Sequence, residues 1–136
     1  DKSLMSPEIK KDIDQAPNNF HMPGYVTSDE LRMAYSGSDL YAFLTHEETE
    51  GIVLLEALAT KAQILIRDIE IFKDGFVDGE NIYKGKSLDD FESKIRGILE
   101  GDLPDLSEKA YKIAQGKSIA NTGKRLVEIY RKAMSL

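Results

Sequence analysis

Two glutamates, Glu48 and Glu56, stand eight positions apart around the start of a predicted helix, with Gly51 between them. We expect the helix to begin near Gly51, where the first backbone N–H groups have no partner within the helix. Those N–H groups and the helix dipole favour an anion, commonly a phosphate. Glycine has no side chain, so a ligand can approach the backbone closely. The pattern therefore predicts an anion site with a carboxylate on either side of it.

The acids in front of the helix have a simple structural explanation. Glu47, Glu48 and Glu50 precede a helix N-terminus, where negative charge is stabilised by about 0.3–1 kcal/mol. Glu56 is different, because the segment from Ile52 to Ala59 is otherwise apolar on every side and so predicts a buried helix. A buried carboxylate needs a partner. We expect Glu56 either to accept hydrogen bonds from sugar hydroxyls or to form a salt bridge with a lysine or arginine.

The composition limits the classes of protein that are possible. A chain of 136 residues is long enough for one domain with one core. It contains no cysteine, which excludes disulfides and thiolate metal sites and suits the cytosol. Two isolated histidines, His21 and His46, argue against a histidine metal site. The net charge of −6 argues against nucleic-acid binding through a basic face.

The charge is unevenly distributed along the chain. Residues 107–136 carry seven lysines and arginines against two acids, a net charge of +5, so the preceding 106 residues carry −11. Two interpretations stay open. The basic segment is either a solvated helix face or a surface that meets an anionic lipid membrane or another acidic domain.

Short apolar segments of strand length alternate with helical patterns. The predicted strands lie in "DLYAFLT" (39–45), "QILIR" (63–67) and "ENIYKG" (80–85), with a short extended segment in "FHMPGYV" (20–26). Helices are predicted over about 6–16, 27–37, 51–61, 87–101, 106–115 and 119–134. Strands without a polar face are typical of a parallel sheet, so we predict an α/β, Rossmann-like sheet with helices on both faces. Ligands of such sheets bind beyond the carboxyl ends of the strands, where the acidic loop is expected.

The local sequence resembles a known family. "EETEGIVLLEALA" (47–59), with its E-x7-E spacing, resembles the retaining glycosyltransferases of the GT-B fold. "ILIRDIEIF" (64–72) and "DGENIYKGKSLDDF" (78–91) make the chain look most like bacterial α-glucosyl-diacylglycerol synthases. "GYVTSDELRMAYSGSDLYAFLTHEE" (24–48) matches the family's approach to the motif. The resemblance runs from about Pro17 to Phe91.

The resemblance implies roles for the two glutamates and the helix start. Glu48 would be the catalytic-site glutamate that contacts hydroxyls of the donor sugar, and Glu56 would bind the ribose of the nucleotide. The backbone N–H groups of Gly51, Ile52 and Val53 would face the diphosphate.

Further residues are implied by the same resemblance. Thr45, which stands where the family often has serine, and Glu50 would belong to the donor-binding loop. Gly24, Tyr25 and Val26 would lie near the nucleotide base.

The implied reaction is transfer of a hexose with retention of anomeric configuration. The donor would be UDP-glucose or UDP-galactose, and the acceptor a diacylglycerol, a glycolipid or another glycan. The resemblance implies no cofactor and no metal, because a helix dipole and cationic side chains can stabilise the leaving diphosphate. The expected location is the cytoplasm, with peripheral attachment at the inner face of the plasma membrane.

The family pattern also contains parts that this sequence lacks. We expect residues 1–136 to be a partial GT-B C-terminal domain, with C-terminal helices over 105–136, and the N-terminal domain of the same protein to complete the site. The chain alone should be inactive, because the family's arginine and lysine phosphate clamp and its acceptor domain are missing. The strands expected between "FHMPG" and "DLYAFLT" are missing too, so these two segments should not pair.

A different class of function stays open at this point. A non-catalytic regulatory α/β domain that binds a nucleotide or phosphate, such as a receiver domain, would have a similar size and sheet. A receiver domain needs a phospho-accepting aspartate after a central strand. Asp39 precedes its strand, so that particular match fails.

Overall fold

The computed structural model describes residues 5–135. The chain divides into two compact units, with the boundary between Leu31 and Arg32. The helices, numbered along the chain, are α1 Pro7–Asp14, α2 Ser28–Gly37, α3 Ile52–Ala59, α4 Leu88–Leu99, α5 Ser107–Gly116 and α6 Ile119–Met134. The strands are β1 Tyr41–Phe43, β2 Ile64–Arg67 and β3 Tyr83–Gly85, and a 3₁₀ turn spans Glu70–Phe72.

Helix starts follow the capping residues of the sequence. The side chain of Thr27 accepts a hydrogen bond from the N–H of Glu30, and the Glu30 carboxylate accepts one from the N–H of Thr27. Ser87 and Asp90 form the same reciprocal pair before α4. These bonds satisfy backbone N–H groups that a helix start leaves without partners.

The three strands form one parallel sheet in the order β1-β2-β3. Parallel strands require a crossover between them, and α3 lies between β1 and β2 in the chain. Helix α4 packs against β2 and β3, and α3 packs against α5. The predicted α/β class with a parallel sheet is therefore confirmed.

The central strand β2 is buried on both faces, as its sequence predicts. Leu65 points to one face and joins a core cluster with Tyr83, Phe91, Ile98 and Leu106. Its neighbours Ile64 and Ile66, whose side chains point to the opposite face, are also buried. A strand of this kind fixes its neighbours, and through them the loops at the carboxyl edge of the sheet.

The extended segment predicted over residues 20–26 does not form a strand. Within residues 5–135, β1 pairs only with β2. The expectation that "FHMPG" would not pair with "DLYAFLT" concerns segments of two different compact units and stays a prediction. Among the described helices, none combines the length and the apolar character needed to cross a bilayer.

Candidate functional site at the start of helix α3

Helix α3 begins at the carboxyl edge of the sheet, after the loop that follows β1. Gly51 is its N-cap and adopts a left-handed conformation with φ of 74°. The Gly51 carbonyl accepts hydrogen bonds from the N–H groups of Leu54 and Leu55. No side chain caps the helix, so the N–H groups of Ile52 and Val53 are left for solvent or a ligand. The predicted helix start at Gly51 is therefore confirmed, and anion binding there stays a prediction.

A glycine is required at position 51 for two reasons. Its positive φ is unfavourable for a residue with a Cβ atom. A Cβ atom there would also lie 3.2 Å from Cε1 of Phe72, whose ring is buried beneath the loop. The second reason depends on a residue 21 positions away, and the local sequence gave no sign of it.

Glu48 is held by the backbone of its own loop. Its Oε1 accepts hydrogen bonds from the N–H of Thr49 at 2.8 Å and from the N–H of Glu50 at 3.4 Å. These bonds, the one from Thr49 foremost, lower the pKa of the Glu48 carboxyl below its ordinary value. A hydrogen bond from the N–H of Gly51 contributes to the same shift. Glu48 is therefore an oriented, ionised carboxylate just before the helix start.

The structure corrects the expectation that α3 is buried on every side. Leu54, Ala57 and Leu58 are buried, but Ile52, Val53 and Glu56 are exposed. One face of α3 packs against α5 and the opposite face is not covered within the described residues, so apolar character alone overestimated its burial.

Glu56 consequently does not need the partner that burial would have required. Within residues 5–135 no lysine or arginine forms an ion pair with it, which leaves its carboxylate open to solvent. Its negative charge lies close enough to Tyr41 to contribute to the raised pKa of that phenol. Burial is the main cause of this shift, and the neighbouring Tyr35 contributes as well. Tyr35 and Tyr41 pack edge to face, with ring centroids 5.0 Å apart.

The other residues of the acidic loop have structural contacts. The hydroxyl of Thr45 donates a hydrogen bond to the carbonyl of Glu47 at 2.7 Å, which closes the turn after β1. The side chain of Glu50 is exposed, and its backbone N–H donates a hydrogen bond to the Glu48 carboxylate. Thr45 and Glu50 thus shape the loop that presents Glu48.

The residues expected near the nucleotide base belong to the first compact unit, whereas the acidic loop belongs to the second. Gly24 has a positive φ of 75°, which turns the chain before α2. Tyr25 is 99% exposed, so its ring is fully available for stacking. Val26 is half-buried.

Comparison with known proteins decides the family. Residues 8–117 match the family described as "Glycosyl transferases group 1". The chain belongs to this family. The match spans the acidic loop, α3 and the whole sheet, so the E-x7-E pattern lies within the matched region.

Two relatives carry names that point to lipid substrates. The chain is 38% identical over 128 residues to "Processive diacylglycerol alpha-glucosyltransferase" of Acholeplasma laidlawii. It is 28% identical over 129 residues to "Alpha-galactosylglucosyldiacylglycerol synthase" of Streptococcus pneumoniae (strain ATCC BAA-255 / R6). These alignments cover 94% and 91% of the chain, but only 39% and 33% of the relatives. The predicted resemblance to glucosyl-diacylglycerol synthases is confirmed, and the chain spans well under half the length of these relatives.

Proposed function

We propose that this chain is the nucleotide-sugar-binding part of a retaining hexosyltransferase. The full enzyme would move glucose or galactose from a UDP-sugar to a diacylglycerol or glycolipid acceptor. The observation that carries the proposal is the uncapped N-terminus of α3, with the ordered carboxylate of Glu48 before it and the exposed carboxylate of Glu56 within it. Membership of the glycosyl transferases group 1 family supports this use of the site.

Glu48 is proposed to bind the donor sugar. Its Oε1 is held by loop N–H groups, so the carboxylate can accept a hydrogen bond from a sugar hydroxyl without the side chain losing further rotational freedom. An ionised acceptor makes a stronger hydrogen bond than a neutral one, and the lowered pKa keeps Glu48 ionised at neutral pH.

Glu56 is proposed to bind the ribose hydroxyls of the nucleotide. Its carboxylate is exposed on the same face of α3 as Ile52 and Val53, about one helical turn from the tip. A diphosphate at the tip would bring the attached ribose within reach of that carboxylate. The family resemblance, rather than the geometry of α3, is the reason for proposing Gly24, Tyr25 and Val26 as the residues that bind the base.

The diphosphate itself is proposed to lie against the N–H groups of Gly51, Ile52 and Val53. Charge develops on this group as the glycosidic bond to the donor sugar breaks, and fixed N–H dipoles stabilise that charge without reorganising. We propose that this helix end and cationic side chains from the rest of the enzyme act without a metal ion.

The acceptor side of the proposal rests on the relatives. Both carry names that refer to diacylglycerol lipids, and the N-terminal domain of the same protein is proposed to hold the acceptor. A lipid acceptor places the enzyme at a membrane surface. We propose a cytoplasmic enzyme at the inner face of the plasma membrane, where the +5 segment 107–136 would meet anionic lipid.

Calorimetric titration with UDP tests the donor site. We expect UDP to bind the chain, and Glu56→Gln to weaken binding roughly ten- to hundred-fold, since it removes a hydrogen bond to a charged acceptor. Glu80→Gln is the matched control, because Glu80 is an exposed loop glutamate outside the site. Absence of UDP binding to the wild-type chain would overturn the proposal. Equal UDP affinities of the Glu56→Gln and Glu80→Gln chains would exclude Glu56 from the donor site.

A second experiment tests the division of labour between the domains. The purified chain, incubated with UDP-glucose and diacylglycerol vesicles, should form no glucosyl-diacylglycerol, because it lacks the proposed acceptor domain. Turnover by the isolated chain contradicts that division.

A further inference from the structure

Lys84 is a buried cation whose position is unusual for a short parallel strand. Only 9% of the residue is exposed, and its neighbours Ile82 and Tyr83 are buried apolar residues. Its Nζ donates a hydrogen bond to the carbonyl of Phe72 at 2.7 Å and lies 3.5 Å from Oδ1 of Asp68. The amine therefore reaches from β3 to the 3₁₀ turn that follows β2.

Burial of this charge is not explained by stability alone. Removing an ammonium group from water costs several kcal/mol, and an apolar side chain of similar length is often as stable or more stable in such a place. A lysine adds a directional hydrogen bond to the carbonyl of Phe72. The side chain of Phe72 in turn lies against Gly51 in the candidate site.

The ring of Phe72 connects this bond to the start of α3. Phe72 is 1% exposed and packs between the rings of Phe43 and Phe76, with centroid distances of 6.2 and 5.8 Å. Its edge lies against the Cα of Gly51, where a Cβ atom would be 3.2 Å from Cε1 and 3.4 Å from Cζ. Gly51, Phe72 and Lys84 thus form a continuous chain of contacts.

We propose that Lys84 is a positioning residue for the donor site. By fixing the Phe72 carbonyl it fixes the ring that supports Gly51, and so the direction of the N–H groups at the tip of α3. This inference rests on the proposed function of that helix end. The direction of these N–H groups matters because fixed dipoles stabilise a ligand only when they point at it. Displacing them by an amount on the order of 1 Å weakens that stabilisation.

The test compares two lysine variants of the ¹⁵N-labelled chain. Lys84→Met removes the bond to Phe72 and keeps the length of the side chain. Lys86→Met is the matched control, because the exposed side chain of Lys86 forms an ion pair with the same aspartate, Asp68, whereas the Phe72 carbonyl is bonded by Lys84. The Gly51 resonances report the position of the adjacent Phe72 ring, and titration with UDP reports the donor site.

We expect Lys84→Met to shift the Gly51 resonances and to weaken UDP binding roughly two- to thirty-fold, a range typical of coupling through a packed network. Lys86→Met should leave both unchanged. Unchanged Gly51 resonances in a folded Lys84→Met chain overturn the inference. If the wild-type chain does not bind UDP, the proposed function fails, and the Gly51 resonances still decide whether Lys84 positions the loop.

Phe72→Leu is the second variant if Lys84→Met does not fold. It keeps the carbonyl that Lys84 binds and removes the ring from Gly51, so UDP binding should weaken over the same range. A UDP affinity equal to that of the wild type then overturns the inference, because the connection through the ring would have no effect on the site.

Discussion

Helices α3 and α6 contrast in how well their apolar residues predict burial. The α3 sequence is apolar on nearly every side, yet only Leu54, Ala57 and Leu58 are buried in it. The α6 sequence has apolar residues along one side and basic residues along the other, which is typical of a helix that packs on a core. None of its described residues is buried, and Val127 and Tyr130 are 48% and 61% exposed.

The difference shows that burial depends on the neighbours that the topology supplies. Helix α3 lies between two paired strands in the chain, so the crossover holds one of its faces against the protein. Helix α6 follows α5, and within residues 5–135 no element covers its apolar side. An apolar pattern predicts a surface that can be buried, and the fold decides whether it is.

The largest expected difference in the free energy of unfolding is between alanine variants of one leucine from each helix. Leu58 is fully buried in α3, so Leu58→Ala should lower the free energy of unfolding by about 2–5 kcal/mol. Leu126 is 50% exposed in α6, and Leu126→Ala should change that free energy by about 0.5 kcal/mol or less. Urea unfolding followed by circular dichroism measures both. Equal losses would show that α6 is packed in solution.

Replacing Gly51 and Gly123 by alanine should change the free energy of unfolding in opposite directions. Gly51→Ala should cost about 1–2 kcal/mol from its positive φ, and the added methyl also meets the Phe72 ring. Gly123 lies inside α6 with open space around its Cα, so Gly123→Ala should stabilise that helix by about 0.5–1 kcal/mol.

The same unfolding measurement checks both glycine variants, with helix content as a second readout for α6. A stable Gly51→Ala chain would mean that the loop before α3 can change its conformation at little cost. That result would also weaken the proposed importance of the Phe72 contact.

The smallest expected effect is the pH dependence of the stability that the residues at the starts of α3 and α6 contribute. The loop before α3 is held by the carboxylate of Glu48, whereas α6 is capped by the hydroxyl of Ser118. The folded-state pKa of Glu48 is lowered, so its contribution is complete above the unfolded-state pKa of about 4.3 and is lost as the pH falls through the folded value. The stability difference between wild type and Glu48→Gln should therefore be constant near neutral pH and shrink as the pH falls below about 4.3.

Ser118→Ala provides the comparison for that pH series. A hydroxyl does not titrate in this range, so the cost of losing the Ser118 cap should stay constant as the carboxylate-dependent cost falls. A Glu48→Gln difference that is independent of pH would contradict the contacts found at the loop.

Local features of the sequence were sufficient for most element bounds. The helix starts predicted near residues 27 and 87 coincide with the capping residues Thr27 and Ser87, and the predicted range of α6, 119–134, agrees with the structure. These signals are local because capping bonds join residues three positions apart. The exposure of Glu56 was not predictable in this way, because it depends on what lies opposite that face of α3.

The sequence by itself determined the three apolar strands, the capped helices and the two glutamates on either side of Gly51, since each depends on residues close together in the chain. Its motifs also led to the correct family. Only the tertiary structure decided that Glu56 faces solvent, that Phe72 supports Gly51 and that Lys84 holds Phe72. These contacts join distant positions across the sheet, and their geometry is set by packing rather than by spacing along the chain.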